Sequence, residues 1–248
     1  MAIKKVGVVG CGIMGGGIAQ VCAQSGYQVT VSEINDELLN KGLKVIKGNL
    51  AKSVEKGKLS KEEESAIIGR LKGTIKVEDF GECDMVIEAA TENMNLKKKI
   101  FGDLDRVCPP GIIMGTNTSC LSIIDVAMAT KRPEKVLGMH FFNPVPVMKL
   151  LEIVTTIVSS QETLDAVKAF GQSLSKVVVI AKDTPAFIAN RIGVPMFIEA
   201  MKVYEAGLAT KEDIDNAMVY GFNHPMGPLA LADLVGLDTL LYVYESMY

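Results

Sequence analysis

The chain has 248 residues, of which 48% are hydrophobic and 22% charged, and its formal net charge is −3. This composition supports a large core in one or two domains, and the weakly acidic balance with scattered lysines argues against a nucleic-acid or anionic-membrane surface. The five cysteines form no Cys-x-x-Cys pair, which is typical of reduced thiols in a cytosolic protein and predicts no metal site.

The first predicted strand begins at Val6, so we expect neither a signal peptide nor a transit peptide. No apolar run approaches the ~20 residues that a helix needs to cross a bilayer. We therefore expect a cytoplasmic protein that binds neither membranes nor nucleic acids.

The first strand and the turn after it organise the chain. The β-branched run Val6–Val9 is typical of a strand buried on both faces, and it ends in Gly-x-Gly-x-x-Gly at Gly10, Gly12 and Gly15, followed by a helical pattern. Gly10 permits the tight turn, Gly12 leaves room for a pyrophosphate, and Gly15 lets the helix pack closely on the strand. The pattern predicts a dinucleotide site at the helix N-terminus, with a purely structural glycine turn as the alternative.

The second strand, from Gln28 to Ser32, ends at Glu33. A carboxylate at this position can accept hydrogen bonds from the adenosine ribose hydroxyls, and it would repel the 2′-phosphate of NADP. Because Ile34 and Asn35 supply no arginine for such a phosphate, the sequence favours NAD.

A predicted helical pair follows, from Asp36 to about Gly57 and from Ser60 to Leu71, where a direct crossover would be usual. Lys52 and Lys56 are four residues apart and share a face turned away from the apolar stripe. They form either a solvated face or a docking site for the phosphates of a substrate handle.

Further strands are predicted at Thr74–Val77, Met85–Ile87 and Ile112–Gly115. Because sites in parallel sheets lie at the carboxyl ends of the strands, Glu92 is expected to meet the second half of the dinucleotide, unless it serves the start of the next helix. The hydroxyl-rich segment Thr116–Ser119 follows another strand end. Part of it is expected to cap the helix from Ile123 to Ala129.

His140 ends a strand that begins at Val136, and a proline-rich bend separates it from a second strand that contains Glu152. Glu152 shares a face with apolar residues, so it should be partly buried and needs a partner. Pairing with His140 would supply that partner and fix the imidazole tautomer for proton transfer. A structural hydrogen-bonded pair is the alternative.

After a helix from Glu162 to Leu174 and a strand from Val177 to Ile180, the pattern becomes helical. Helices are predicted at 187–206, kinked at Pro195, then after Thr210, and at 229–248. The predicted fold is α/β: a Rossmann-type doubly wound sheet with an inserted helical pair over 1–183, followed by a smaller all-helical domain over 184–248.

Taken in order, these segments make the chain resemble the short-chain L-3-hydroxyacyl-CoA dehydrogenases, close to the bacterial 3-hydroxybutyryl-CoA enzymes. The resemblance rests on Gly10–Gly15, Val86–Ala90 with Glu92, Asn117–Ser119, Gly138–Pro144, Met148–Glu152, Asn190-Arg191 and His224–Pro228. It implies an NAD-dependent oxidoreductase that interconverts short-chain (S)-3-hydroxyacyl-CoA and 3-oxoacyl-CoA in fatty acid or butyrate metabolism, and a homodimer. It also implies that the helical domain over 184–248 serves substrate binding and dimerisation.

The family pattern also implies roles for individual residues. His140 and Glu152 would form the catalytic dyad, with Ser119 and Asn190 around the reacting group. The residues implied to contact NAD are Gly10, Gly12, Ile13, Met14, Gly15, Glu33, Glu92, Lys97, Ser119 and Asn143, and those implied to contact coenzyme A are Lys52, Lys56 and Ser119. The family continues for some tens of residues past the position of Tyr248, so we expect the C-terminus to be incomplete.

Two other hypotheses compete with this one. A different NAD-dependent β-hydroxyacid dehydrogenase, acting on a free acid, would commonly use a catalytic lysine, and the predicted His140 and Glu152 pair argues against it. A non-catalytic NAD-binding protein would keep the fold without the chemistry, and the presence of His140, Glu152, Ser119 and Asn190 argues against that.

Overall fold

The computed structural model describes residues 3–247, which form two compact units. The first unit runs to Thr118 and resumes with Ser122–Asp183, and the second comprises Ser119–Leu121 and the chain from Thr184 onward. The division is therefore not a single cut in the chain, because three residues that follow a strand of the first unit group with the second.

The first unit is built on a sheet that has eight strands within residues 3–247, in the order β3-β2-β1-β4-β5-β6-β7-β8. The strands are β1 (Lys5–Val9), β2 (Gln28–Ser32), β3 (Leu71–Thr74), β4 (Met85–Glu88), β5 (Ile113–Thr116), β6 (Val136–Phe141), β7 (Leu150–Thr155) and β8 (Val177–Lys182). Neighbours are parallel except β6 and β7, which pair antiparallel. The carboxyl ends of β1, β2, β4, β5 and β6 therefore lie at one edge, where the site is expected.

Six helices connect the strands of this unit in the described part of the chain: α1 (Ile13–Gln24), α2 (Asp36–Glu55), α3 (Lys61–Gly69), α4 (Met94–Val107), α5 (Ile123–Ala127) and α6 (Gln161–Ser173). Polar N-caps begin most of them. Asn35 caps α2, and Ser60 forms a reciprocal capping box with Glu63 at the start of α3. The inserted pair α2 and α3 is thus present.

Both faces of the sheet are apolar, because successive positions of its strands carry apolar residues. Helices cover both faces and bury these side chains. In β4, Met85 and Ile87 belong to the core cluster that includes Val8, whereas Val86 belongs to the cluster that includes Phe101. Successive residues of a strand point to opposite faces, so the two clusters are the cores above and below one sheet.

The second unit is helical, with α7 (Ala189–Glu205), α8 (Lys211–Phe222), α9 (Pro228–Val235) and α10 (Leu237–Glu245). Its core includes Val194, Phe197, Ala232 and Leu240. Thr210 caps α8 as its position predicts, and Pro195 lies inside α7.

Two sequence-based predictions of elements are wrong. The strand expected at Thr74–Val77 lies earlier, at Leu71–Thr74, because the Thr74 hydroxyl accepts the N–H of Lys76 at 3.0 Å and turns the chain. The single helix expected at 229–248 is broken at Gly236, whose φ of +96° is incompatible with a right-handed helix. The last residue of that expected helix, Tyr248, lies outside the described residues.

None of the helices described in residues 3–247 combines the length and the apolar character needed to cross a bilayer. The same residues contain no cluster of three or more His, Cys, Asp or Glu side chains able to hold a metal ion.

Candidate active site

The glycine turn between β1 and α1 has the geometry of a dinucleotide cradle. Gly10 has a φ of +95°, and a Cβ there would lie 2.8 Å from the Ala89 carbonyl oxygen. A Cβ on Gly15 would collide with the carbonyl of Gly10, whereas one on Gly12 would point into open space. Gly10 and Gly15 are therefore required by the turn itself, and Gly12 keeps the approach to the helix open.

Helix α1 begins without a side-chain cap at Gly12. Its first N–H groups are therefore not occupied by a side-chain cap, and together with the positive end of the helix dipole they can bind phosphate oxygens. A cavity of about 360 Å³ lies here, lined by the glycine turn with Ile13, by Glu33, by the α2 face that carries Lys41, and by the loop from Asn143 to Pro146. The residues present thus fit the pyrophosphate of a dinucleotide.

Glu33 follows β2 and borders the same cavity. Its Oε1 accepts the N–H of Cys11 at 2.8 Å, and its Oε2 accepts the N–H of Ile34 at 3.1 Å. These two hydrogen bonds hold the carboxylate in place beside the glycine turn. There it can accept hydrogen bonds from the hydroxyls of a ribose. Burial and the neighbouring Glu33 charge raise the pKa of the Cys11 thiol to about 11, so this thiol stays protonated near neutral pH.

A second group of polar residues lies where β4 and β5 end, and we call Glu88, Glu92, Lys97, Thr116 and Thr118 the lysine cluster. Lys97 Nζ lies 2.8 Å and 3.0 Å from the two oxygens of Glu88, and 3.4 Å from Glu92 Oε2. The Thr116 hydroxyl donates to Glu88 at 2.6 Å, and the Thr118 hydroxyl donates to Glu92 at 3.0 Å.

The lysine cluster separates buried from accessible charges. The side chains of Glu88 and Lys97 are 0% and 1% exposed, whereas that of Glu92 is 27% exposed. The buried ammonium of Lys97 therefore attracts the partly exposed Glu92 carboxylate and holds it at the sheet edge. Asn93 caps α4, so Glu92 is not needed for that purpose. Direct contact of Glu92 and Lys97 with NAD stays a prediction.

His140 and Glu152 lie opposite each other in the antiparallel ladder of β6 and β7. His140 Nδ1 is 2.7 Å from Glu152 Oε2, and the two residues are only 5% and 1% exposed. The Phe142 ring lies against the imidazole, with ring centroids 4.4 Å apart. The carboxylate thus fixes the orientation of the imidazole, and a carboxylate at this distance can stabilise the protonated form of the ring.

Asn117 makes a contact at the candidate site that the sequence did not reveal. Its Oδ1 accepts the N–H of Phe141 at 2.9 Å and so ties the end of β5 to the end of β6, beside His140. The expectation that the segment Thr116–Ser119 caps the next helix is wrong, because Ser122 caps α5. The hydroxyls of Thr116 and Thr118 instead serve the lysine cluster.

Four more of the predicted residues lie on α2 and in the second unit. Lys52 is exposed in the last turn of α2, and Lys56 is the exposed C-cap of the same helix. Ser119 and Asn190 belong to the second unit, where Asn190 lies in the first turn of α7. The structure of the first unit brings His140 to Glu152 and Asn143 to the glycine-turn cavity.

Comparison with known proteins agrees with this geometry. Residues 5–184 match the family model of the 3-hydroxyacyl-CoA dehydrogenase NAD-binding domain, and residues 187–248 match that of the C-terminal domain. The dinucleotide that the glycine turn accommodates is therefore NAD. The 3-hydroxybutyryl-CoA dehydrogenase of Clostridioides difficile is 45% identical over 98% of this chain and 87% of its own length.

More distant relatives and a solved structure extend the match. The mitochondrial hydroxyacyl-coenzyme A dehydrogenase of Sus scrofa is 41% identical over 99% of this chain and 80% of its own length. The crystal structure of the (S)-3-hydroxybutyryl-CoA dehydrogenase from Ralstonia eutropha superposes with a TM-score of 0.97 at 44% identity, covering 100% of this chain and 87% of that one. The chain therefore belongs to the 3-hydroxyacyl-CoA dehydrogenase family.

Proposed function

We propose that the protein interconverts short-chain (S)-3-hydroxyacyl-CoA and 3-oxoacyl-CoA, with 3-hydroxybutyryl-CoA and acetoacetyl-CoA as its substrates. The observation that carries this proposal is the buried 2.7 Å contact between His140 and Glu152, at the sheet edge that also holds the NAD cradle. The names of relatives that are 41% to 45% identical support the substrate class.

The glycine turn and Glu33 would hold NAD, which would supply the hydride acceptor for oxidation at C3 of the substrate and, as NADH, the hydride donor for reduction. During oxidation, Nε2 of His140 takes the proton from the C3 hydroxyl, and during reduction it gives a proton to the developing alkoxide. Glu152 stabilises the imidazolium that forms and keeps the ring oriented. Burial of both side chains strengthens this electrostatic coupling relative to water.

Substrate binding is assigned to residues of both units. We propose that Lys52 and Lys56 bind the phosphates of coenzyme A, because both are exposed and lie within five residues of each other at the end of α2. Ser119 and Asn190 would donate hydrogen bonds to the substrate oxygens on which charge develops. Ser119 would also contact NAD and coenzyme A. Residues 1–183 would carry the NAD site and the coenzyme A contacts of Lys52 and Lys56, and 184–248 would serve substrate binding through Asn190 and dimerisation.

We further propose a cytoplasmic homodimer that acts in fatty acid or butyrate metabolism and assembles through helices of the second unit. Several large apolar side chains of this unit are more than half exposed, among them Ile192, Leu208, Tyr220, Phe222 and Leu234. A set of exposed apolar side chains of this size is typical of a protein–protein interface. Light scattering during gel filtration would return a monomer mass if the proposal of a dimer were wrong.

The reaction is tested by following NADH absorbance with acetoacetyl-CoA and, in parallel, with free acetoacetate. We expect turnover of the thioester and little turnover of the free acid. The reverse preference would identify a dehydrogenase of free β-hydroxyacids instead. Binding of NADH without turnover of either compound would identify a non-catalytic NAD-binding protein. Replacing NADH by NADPH in the same assay tests the preference that Glu33 imposes, and we expect NADPH to be the poorer cofactor.

A further inference from the structure

Lys176 is a buried lysine whose hydrogen bonds go to the main chain. It lies between α6 and β8 and is 9% exposed. Its Nζ donates to the carbonyl oxygen of Val145 at 2.6 Å and to that of Met148 at 2.7 Å. An ammonium group removed from water and bonded to carbonyls rather than to a carboxylate opposes folding, and burial lowers the pKa of Lys176.

The two carbonyls belong to the loop between β6 and β7, which follows directly after His140 and Phe141. Pro144 and Pro146 have no N–H, so this loop has few donors of its own. The Pro144 carbonyl accepts the N–H groups of Val147 and Met148 and closes the turn. Lys176 supplies donors for the carbonyl of Val145, inside that turn, and for the carbonyl of Met148, at its end.

The same loop is also packed against α1. Val145 is 2% exposed, and a Cβ added to Gly17 would lie 2.9 Å from the Val145 Cβ. Both Gly17 and the loop from Asn143 to Pro146 line the cavity beside the glycine turn. The loop therefore contacts both α1, which begins at the dinucleotide cradle, and the ammonium of Lys176.

We propose that Lys176 is a positioning residue for NAD: by holding the carbonyls of Val145 and Met148, it places the loop from Asn143 to Pro146 as the wall of the dinucleotide cavity facing the glycine turn. This inference rests on the proposed function of the same site and extends it to a residue that would not touch the dinucleotide. Without these two hydrogen bonds, the loop would still be connected to β6 and β7 but would occupy a range of positions, and the affinity for NAD would fall.

The test compares Lys176→Met, which keeps the length of the side chain but removes the donors, with Lys168→Met, which removes a charge from the exposed face of α6. NADH fluorescence titration is expected to give roughly a tenfold higher Kd for K176M and an unchanged Kd for K168M. In steady-state kinetics the KM for NAD should rise by about the same factor, while kcat at saturating NAD changes by less than about threefold. Lys176→Arg, which retains donors, should recover part of the affinity.

Circular dichroism at the titration temperature confirms that each variant is folded. An NADH affinity of K176M equal to that of K168M would overturn the proposal, even if K176M melted at a lower temperature. If K176M does not fold, Lys176→Gln, whose shorter side chain cannot bond both carbonyls, takes its place. Weaker NADH binding by K176Q than by K168M would support the proposal, and equal binding would overturn it. Because these titrations measure binding, they stay decisive if acetoacetyl-CoA is not the substrate.

Discussion

The first unit buries charged groups at one sheet edge in two different ways. In the His–Glu pair, His140 contacts Glu152 across an antiparallel ladder at 2.7 Å. In the lysine cluster, Lys97 contacts both oxygens of Glu88 where the parallel strands β4 and β5 end. Both arrangements set a side-chain nitrogen against a carboxylate that is almost fully buried.

The difference lies in the chemistry of the residue that contacts the carboxylate, His140 in one case and Lys97 in the other. Imidazole is the side chain that exchanges protons in the physiological range, whereas an ammonium that binds two carboxylate oxygens is a stable source of charge. The His–Glu pair is therefore suited to proton transfer, and the lysine cluster to holding Glu92 and the strand ends in place. Substitutions in the pair should reduce turnover, and substitutions in the cluster should reduce stability.

The largest effect is expected from His140→Ala. Loss of the general acid and base should lower kcat by roughly 10²–10⁴-fold, because proton transfer by a positioned side chain contributes that much. The Kd for NADH should change little. The matched control is His224→Ala, which removes the other histidine of the chain, in the turn after α8. A wild-type rate in H140A would show that the His–Glu pair is structural.

Lys97→Met tests the structural role of the lysine cluster. It would leave the Glu88 carboxylate buried without its cation, and breaking a buried pair in this way costs about 3–5 kcal/mol of unfolding free energy. Urea denaturation measures the effect. Lys98→Met, at the exposed neighbouring position of α4, should change stability by less than about 0.5 kcal/mol. Equal stability of K97M and K98M would remove the structural role that we assign to the lysine cluster.

Glu152→Gln separates the carboxylate charge from its shape. An amide is nearly isosteric but cannot stabilise an imidazolium, so kcat should fall by roughly 10²-fold with little change in the melting temperature. Glu162→Gln at the exposed start of α6 is the control. If E152Q lost stability but kept its rate, the role of Glu152 would be structural, like that of the lysine cluster, and not catalytic.

Much of the fold could be predicted because its signals are local. The glycine turn, the β-branched strands and the capping residues Ser60 and Thr210 lie close in sequence to the structure that they determine. The errors came from competing local chemistry. The hydroxyl of Thr74 ended β3 early, and Gly236 interrupted an apolar stripe that reads as continuous.

The candidate site was predictable where one residue required another. Glu152 reads as a carboxylate on an apolar strand face, so a partner was expected, and the pairing with His140 is confirmed. Lys97, Lys98 and Lys99 are consecutive lysines, and nothing in the sequence around them predicts that Lys97 is buried and the other two are exposed. Lys176 is hidden in the same way, because its acceptors are carbonyls about 30 residues away, which a side-chain pattern does not show.

The thiol of Cys22, a buried group with a shifted pKa, lies in α1 near Lys176. Its effect on stability is the smallest that we predict. Burial raises its pKa from 9.0 to about 12. Above pH 9 the unfolded chain therefore releases a proton that the folded chain retains, so this group makes stability fall as pH rises. Lys176 acts in the opposite direction, because its lowered pKa lets the folded chain lose its proton first.

Cys22→Ala should consequently reduce the alkaline loss of stability, by less than about 1 kcal/mol near pH 9.5, although it lowers stability at neutral pH by removing a buried sulfur. Urea midpoints at several pH values between neutrality and this point measure the slope. Val21→Ala, a deletion at the adjacent buried position without a titrating group, should lower stability equally at every pH. Parallel curves for C22A and wild type would mean that the thiol titrates alike in the folded and unfolded chains, and that burial in α1 does not govern its protonation.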